Sequence, residues 1–230
     1  MSAPLNPEEI SACVFDAYGT LFDVHTAALG CRDALGDKAD ALSDLWRTKQ
    51  LQYTWLRSLM GDFVDFWHVT GEALDFAMAT FDFDDAALRT RLMELYLNLD
   101  CYPEAPSMLN AMKAADLKTA ILSNGSMTML ESAVANANLL DHFDSLLSVD
   151  KLRTYKPDPR VYQMAVDHLN VPADQICFLS SNGWDVAGAA HFGFRVVWVN
   201  RFGHIQDCLP GKPAAEISTL AELPPLLGLS

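Results

Sequence analysis

Four short stretches of this chain carry side chains able to do chemistry. They are Asp16 with Tyr18, Gly19 and Thr20; Ser123 with Asn124; Lys156; and the run Ser180, Ser181, Asn182, Trp184, Asp185. Together they offer two carboxylates, an ammonium, amide groups and several hydroxyls. A carboxylate removed from water beside an ammonium can serve as a nucleophile or a general base. Amides and the backbone N–H groups of a tight turn can hold an anion. A helix cap or a turn explains each group singly, but explains the full set poorly.

What unites the set is its position at strand ends. Residues 10–15 form an apolar, β-branched run that stops at Asp16, where Gly19 and Thr20 supply turn chemistry. Residues 118–122 read as a strand ending at Ser123, and 146–149 as a strand followed by a short loop to Lys156. Residues 176–179 end at Ser180, and 195–199 form a fifth strand. Helical stretches at 103–115, 127–137, 158–169 and 184–191 alternate with these strands, the third opening on Asp158-Pro159 as N-cap and N1. The alternation predicts an α/β fold: a doubly wound, parallel, five- to six-stranded Rossmann-like sheet. All carboxyl ends of such a sheet lie on one edge, so the four stretches converge.

Between residues 23 and 100 the pattern is helical, with stretches at 26–35, 42–60, 72–80 and 85–97. The chain therefore divides into a core, residues 1–22 and 101–230, and an all-helical cap, residues 23–100, inserted between the first two strands. The tail from His204 is rich in Pro and Gly and is expected to wrap the surface, with a last helical turn near Leu220.

Composition narrows the partners. At 230 residues and 50% hydrophobic, the chain can bury a real core. A net charge of −14 argues against nucleic acid and anionic membranes, and obliges any anionic substrate to find local cations. Five scattered cysteines without Cys-x-x-Cys fit a reducing compartment. No stretch is long enough to span a bilayer and the N-terminus is neither basic nor apolar, so the expectation is a soluble, cytoplasmic protein. The six histidines have no ligand spacing and receive no catalytic role.

Residues 14–23, Val-Phe-Asp-Ala-Tyr-Gly-Thr-Leu-Phe-Asp, resemble the first motif of the haloacid dehalogenase superfamily. With Tyr18 in place of a second aspartate, the likeness is to the L-2-haloacid dehalogenase branch. It continues through residues 47–59 (Arg-Thr-Lys-Gln-Leu-Gln-Tyr-Thr-Trp-Leu-Arg-Ser-Leu), 121–125 (Ile-Leu-Ser-Asn-Gly), 155–158 (Tyr-Lys-Pro-Asp) and 180–185 (Ser-Ser-Asn-Gly-Trp-Asp), and so spans nearly the whole chain. The resemblance implies hydrolysis of small L-2-haloalkanoic acids to D-2-hydroxy acids with inversion. Asp16 would attack C2 to form an aspartyl ester, with Lys156 supplying the opposing charge. Arg47 and Asn124 would take the halide, while Ser123 and the backbone amides after Asp16, that of Ala17 included, would hold the substrate carboxylate. Asp185 would activate the hydrolytic water, positioned with Thr20, Ser180 and Asn182. Tyr18, Leu51, Phe66 and Trp184 would form an apolar wall, and Tyr162 is placed in the same binding group. Thr48 stands where this family commonly has glutamine, which is expected to enlarge the pocket. The resemblance further implies a homodimer, with no cofactor and no metal.

Two other readings stay open at this point. A metal-dependent phosphatase or phosphonate hydrolase could use the same fold, although Tyr18 and Ser181 stand where that branch has further aspartates. A divalent ion wants several oxygen ligands, and Asp16 with Asp185 makes a poor cage. A non-catalytic scaffold is the third reading, disfavoured by the cost of burying so many charges without use.

Overall fold

The computed structural model describes residues 5–24 and 26–229; His25 lies outside the described residues, as do the side chains of residues 28 and 29. Six parallel strands form one sheet: β1 (Ala12–Phe15), β2 (Lys118–Ser123), β3 (Ser145–Ser148), β4 (Ile176–Ser180), β5 (Arg195–Val199) and β6 (Ala215–Ile217), in the order β3-β2-β1-β4-β5-β6. All four residues of β1 are buried, as a strand packed on both faces must be. Its neighbours are β2 on one side and β4 on the other, with Cys13 in register with Thr119 and Cys177. Strand order therefore reverses at β1, and the crevice this opens lies at the carboxyl end where Asp16 follows.

The helices are α1 (Thr26–Leu29), α2 (Arg32–Leu35), α3 (Ala39–Met60), α4 (Phe66–Thr80), α5 (Ala86–Leu97), α6 (Ala105–Ala114), α7 (Met127–Asn136), α8 (Pro159–Leu169), α9 (Gly183–Phe192) and α10 (Leu223–Leu226). The first five form the cap. Its long helix α3 buries Leu42, Trp46, Gln50 and Thr54, a stripe at helical spacing, and ends at Gly61, which takes the left-handed conformation (φ +69°) at its C-cap. The chain leaves and re-enters the sheet layer through adjacent segments. Phe22 and Cys101 form an antiparallel bridge, the Asp23 N–H donates to Asp100 O (3.0 Å), and the Tyr102 N–H donates to Leu21 O (2.9 Å).

Three local expectations are corrected. The stretch 26–35 is two short helices, interrupted at Gly30, where a Cβ would lie 3.0 Å from Leu95 Cδ1; close approach to α5 is what the glycine permits there. Helix α4 begins at Phe66, six residues before the start read from sequence, because Asp65 accepts a hydrogen bond from the His68 N–H (2.8 Å) and caps an aromatic first turn. The tail does more than wrap: Ala215–Ile217 pairs with β5 as an edge strand, too short for alternation to reveal it. The expected helical turn near Leu220 is present as Leu220–Glu222 with a capping box, leading into α10. No helix among the described residues is long and apolar enough to cross a membrane.

Candidate active site

Three charged side chains meet at the carboxyl edge of the sheet. Lys156 Nζ donates to Asp16 Oδ1 (3.0 Å) and to Asp185 Oδ2 (2.8 Å). Lys156 and Asp185 are fully buried, and Asp16 retains only a sliver of exposure. Desolvation alone would lower the Lys156 pKa, yet the two carboxylates outweigh it and hold the ammonium above its ordinary value. Burial pushes the Asp185 carboxyl above the usual carboxylate range, and Lys156 and Tyr162 only partly offset this. The Lys156 ammonium also lies 4.9 Å from the centre of the Phe178 ring.

The second oxygen of Asp16 is held just as closely. Thr20 Oγ1 and Asn182 Nδ2 both donate to Asp16 Oδ2, at 3.0 and 2.9 Å. The turn that makes this possible is compact: the Ala17 carbonyl accepts the N–H groups of Thr20, Leu21 and Phe22, and Gly19 sits at φ +92°. The Ser181 N–H donates to Thr20 Oγ1 (2.9 Å) and Ser181 Oγ donates to Gly19 O (2.7 Å), locking the β4 loop onto the β1 turn. Ser180 Oγ, fully buried, accepts the Asn182 N–H (3.2 Å). Asp185 falls in the first turn of α9, whose N-cap is Asn182.

The β2 end contributes two further groups. Asn124 Oδ1 accepts the Lys156 N–H (2.9 Å), which leaves its NH2 as the donor end. Ser123 Oγ accepts the Gly125 N–H (3.0 Å). Gly125 has a packing reason, because a Cβ there would sit 2.6 Å from Tyr18 Cε2.

From the cap, Arg47 reaches down to donate to Tyr18 O (3.3 Å) and Asn182 Oδ1 (3.2 Å). Sequence alone could not separate this side chain from a solvated helix charge; its contacts with two core loops do. Tyr18 is buried against Phe66 and stacks on Tyr96, with ring centroids 5.9 and 5.7 Å apart. Burial raises the Tyr18 phenol far above its ordinary value, so it stays neutral. Leu51 and Trp184 are half-buried. Trp184 meets Trp55 edge-on (5.5 Å) and lines a cleft of about 520 Å³ shared with Lys156 and Pro157.

Tyr162 is fully buried, and its hydroxyl donates to Asp185 Oδ1 (2.8 Å). Helix α8 packs beside α9, so the side chain approaches Asp185 from within the core. Thr48, next to Arg47, is exposed, so its short side chain enlarges no buried pocket.

Arg201 was missed by sequence reasoning. It donates to Glu104 Oε1 (2.6 Å) and Thr20 O (3.0 Å) and stacks 3.6 Å above the Tyr102 ring, clamping the turn after β1. The signal was available, because Arg201 stands two residues past β5 on the same sheet edge.

The donor set suits an internal cation better than a metal. The point between Asp16 and Asp185 where a divalent ion would bridge is filled by the Lys156 ammonium, and Tyr18 and Ser181 add no carboxylate. Among the described residues no group of three His, Cys, Asp or Glu side chains converges as a metal cage.

The family model for haloacid dehalogenase-like hydrolase matches residues 10–193. The (S)-2-haloacid dehalogenase 1 of Pseudomonas sp. (strain CBS-3) is 48% identical over 221 residues, covering 96% of this chain and 97% of its own. The crystal structure of a dehalogenase at 47% identity superposes with a TM-score of 0.93 over 94% of this chain and 96% of its own. The L-2-haloacid dehalogenase from Xanthobacter autotrophicus, solved with chloropropionic acid covalently bound, superposes with a TM-score of 0.89 at 37% identity, over 95% of this chain and 98% of its own.

Proposed function

The chain belongs to the haloacid dehalogenase-like hydrolase family, and from that premise we propose that it hydrolyses small L-2-haloalkanoic acids to D-2-hydroxy acids with inversion at C2. The observation that carries the reading is the buried Asp16–Lys156–Asp185 triad beneath Arg47. A carboxylate shielded from water is a stronger nucleophile than a hydrated one, and the ammonium keeps two such groups tolerable in one place.

In the first step one Asp16 oxygen attacks C2 from the side opposite the halogen. The C–X bond breaks, the halide leaves with the bonding pair, and an Asp16 ester forms. Halide is a weak base, so no proton donor is needed and Tyr18 can stay neutral. Arg47 and the Asn124 NH2 receive the departing anion, while Ser123 and the amides after Asp16 hold the substrate carboxylate. In the second step water attacks the Asp16 carbonyl carbon and gives its proton to Asp185. The 2-alkoxide leaves and takes the proton held on Asp185, carrying away an oxygen that began on Asp16; the remaining water proton is released to solvent as the Asp16 carboxylate re-forms. C2 is touched once, so its configuration inverts. Each oxygen of Asp185 keeps a lone pair beyond its bond from Lys156 or Tyr162, and Thr20, Ser180 and Asn182 order the loops around the water. The covalently bound chloropropionic acid in the Xanthobacter neighbour supports the ester route. Lys156 in the bridging position supports a reaction that needs no metal.

The core of residues 1–22 and 101–230 and the cap of 23–100 admit substrate between them, the paired crossing at Phe22 and Cys101 acting as the pivot. A homodimer through the cap accords with Leu59 and Met60 standing 85% and 68% exposed at the end of α3. The location is cytoplasmic, in keeping with five thiols that are all free.

A single turnover in ¹⁸O water with L-2-chloropropionate, run with and without excess EDTA, tests the scheme. The label is expected in the Asp16 carboxylate and absent from the first product, at the same rate in both arms. Label appearing first in product would mean that water attacks C2, and loss of turnover in EDTA would move the chain to the metal-dependent reading.

The pH profile has a direction of its own. Asp185 accepts a proton only when ionised, and its raised pKa places the acid limb of turnover above the usual carboxylate range. Lys156 is held above its ordinary value, so the alkaline limb lies beyond that of a free lysine. Turnover measured against pH is expected to show a plateau between those limbs; an acid limb at the ordinary carboxylate position would remove Asp185 as the base.

A further inference from the structure

Gln50 lies in the motif that begins at Arg47, one helical turn further along α3, and nothing in the scheme above uses it. It is 1% exposed, in a cap whose buried residues include Trp46, Phe66 and Leu74. A primary amide buried that deeply needs partners for both its ends. Its Oε1 accepts from Arg47 Nη1 (2.7 Å), and its Nε2 donates to Thr70 Oγ1 (2.7 Å) and to the Tyr96 hydroxyl (3.1 Å). Thr70 and Tyr96 are buried as well.

The direction of these bonds is forced. Thr70 has one hydroxyl proton, and it is spent on Phe66 O (2.6 Å). Its oxygen can then only accept, so Gln50 must turn its NH2 towards Thr70 and its carbonyl towards Arg47. Rotating the amide by half a turn would set two acceptors against each other at Thr70 and two donors against each other at Arg47. The amide therefore has one orientation, and that orientation aims Arg47. Beyond Arg47 the chain of bonds continues to Asn182 Oδ1 (3.2 Å) and from Asn182 Nδ2 to Asp16 Oδ2 (2.9 Å). Side chains from three cap helices, α3, α4 and α5, are thus joined by polar contacts to the β1 carboxylate.

We infer that Gln50 is a positioning residue for halide departure: with Thr70 and Tyr96 it fixes the Arg47 guanidinium over the leaving group, and it does so by an oriented buried amide. The inference rests on the halide role of Arg47 proposed above. A guanidinium whose Nη1 is anchored on Gln50, while its Nη2 is held by longer bonds to Tyr18 O and Asn182 Oδ1 at the Asp16 end, is already placed when charge develops, so little reorganisation is needed at that moment. Gln50 touches neither substrate nor halide; it acts through Arg47 alone. An isosteric apolar residue would leave the helix but remove the shortest of the guanidinium's anchors, so that only the longer bonds to Tyr18 O and Asn182 Oδ1 hold it.

The test compares single-turnover halide release from L-2-chloropropionate and L-2-bromopropionate in Gln50→Leu, Thr70→Val, Thr70→Ser and Arg47→Met. Chloride leaves less readily than bromide and draws more on the guanidinium. Gln50→Leu is expected to lose about 100-fold on the chloro substrate and about tenfold on the bromo substrate. Thr70→Val should show the same split at smaller size, and Thr70→Ser, which keeps the hydroxyl, should restore the wild-type ratio. The Thr70 pair carries the test if Gln50→Leu fails to fold. Equal losses on both substrates, or a Thr70→Val loss that serine does not repair, would overturn the inference as mere packing damage. A split in Arg47→Met alone would overturn Gln50's role and leave Arg47's standing. No split in Arg47→Met would remove the halide role itself, and Gln50's with it.

Discussion

Asp16→Asn is expected to abolish halide release, lowering turnover on the order of 10⁵-fold, while the protein stays folded. Asparagine keeps the volume and can still bond to Thr20, but an amide oxygen carries no charge and is a poor nucleophile towards C2. Lys156 would retain Asp185 at 2.8 Å, so a buried ion pair survives and the core is not left with an isolated charge. The measurements are halide release in a single turnover and the mass of the denatured enzyme after exposure to substrate. Wild type should carry the ester adduct during turnover; the variant should carry none. Turnover within tenfold of wild type would mean that Asp16 is not the nucleophile, and direct attack of water on C2 would return.

Lys156→Met acts on the same cluster from the other side and should cost stability as well as rate. Methionine fills the space, but Asp16 and Asp185 are then left facing each other without the cation that both now share. Breaking a buried ion pair by removing one partner costs about 3–5 kcal/mol, and here a single ammonium serves two carboxylates. The denaturant midpoint of the variant should fall accordingly, and halide release should fall with it.

The sign of the pH dependence follows from the direction of the shift. A lysine whose folded pKa is raised contributes stability that is fully present below its unfolded value, and this is lost as pH rises through the folded one. The gap between wild type and Lys156→Met is therefore expected to be full at neutral pH and to close only in strong alkali. On the acid side the gap should narrow too, because the variant's unpaired carboxyls can take up protons. Asp185, already raised by burial, should do so first. A stability difference that is flat across both limbs would mean that Lys156 contributes by packing alone.

These two substitutions probe the part of the molecule most legible in the sequence. Asp16, Ser123, Asn124 and the run from Ser180 to Asp185 could be placed because each ends an apolar run. Burial of a short strand on both faces is a local property, written in consecutive residues. A parallel sheet then brings those ends together whatever fills the loops. The inserted cap was legible for a similar reason, as a long stretch of helical spacing without a strand. The edge strand β6 was not, since three residues carry no period.

Side-chain direction was the harder matter. Tyr162 and Gln50 illustrate it from opposite sides. Tyr162 sits on an amphipathic helix, and only the packing of α8 beside α9 sends its hydroxyl to Asp185. Gln50 reads as one polar residue among several on a long helix, and only α4 and α5 closing over α3 make it a buried amide with a single orientation. Arg201 depends on Glu104 and Tyr102, which lie far from it in the chain. Order along the chain determined which groups would share an edge, because strand formation is decided within a few residues. Which of those groups touch was decided by helices meeting from distant parts of the chain, since a hydrogen bond has a reach of about 3 Å and no spacing in sequence encodes that.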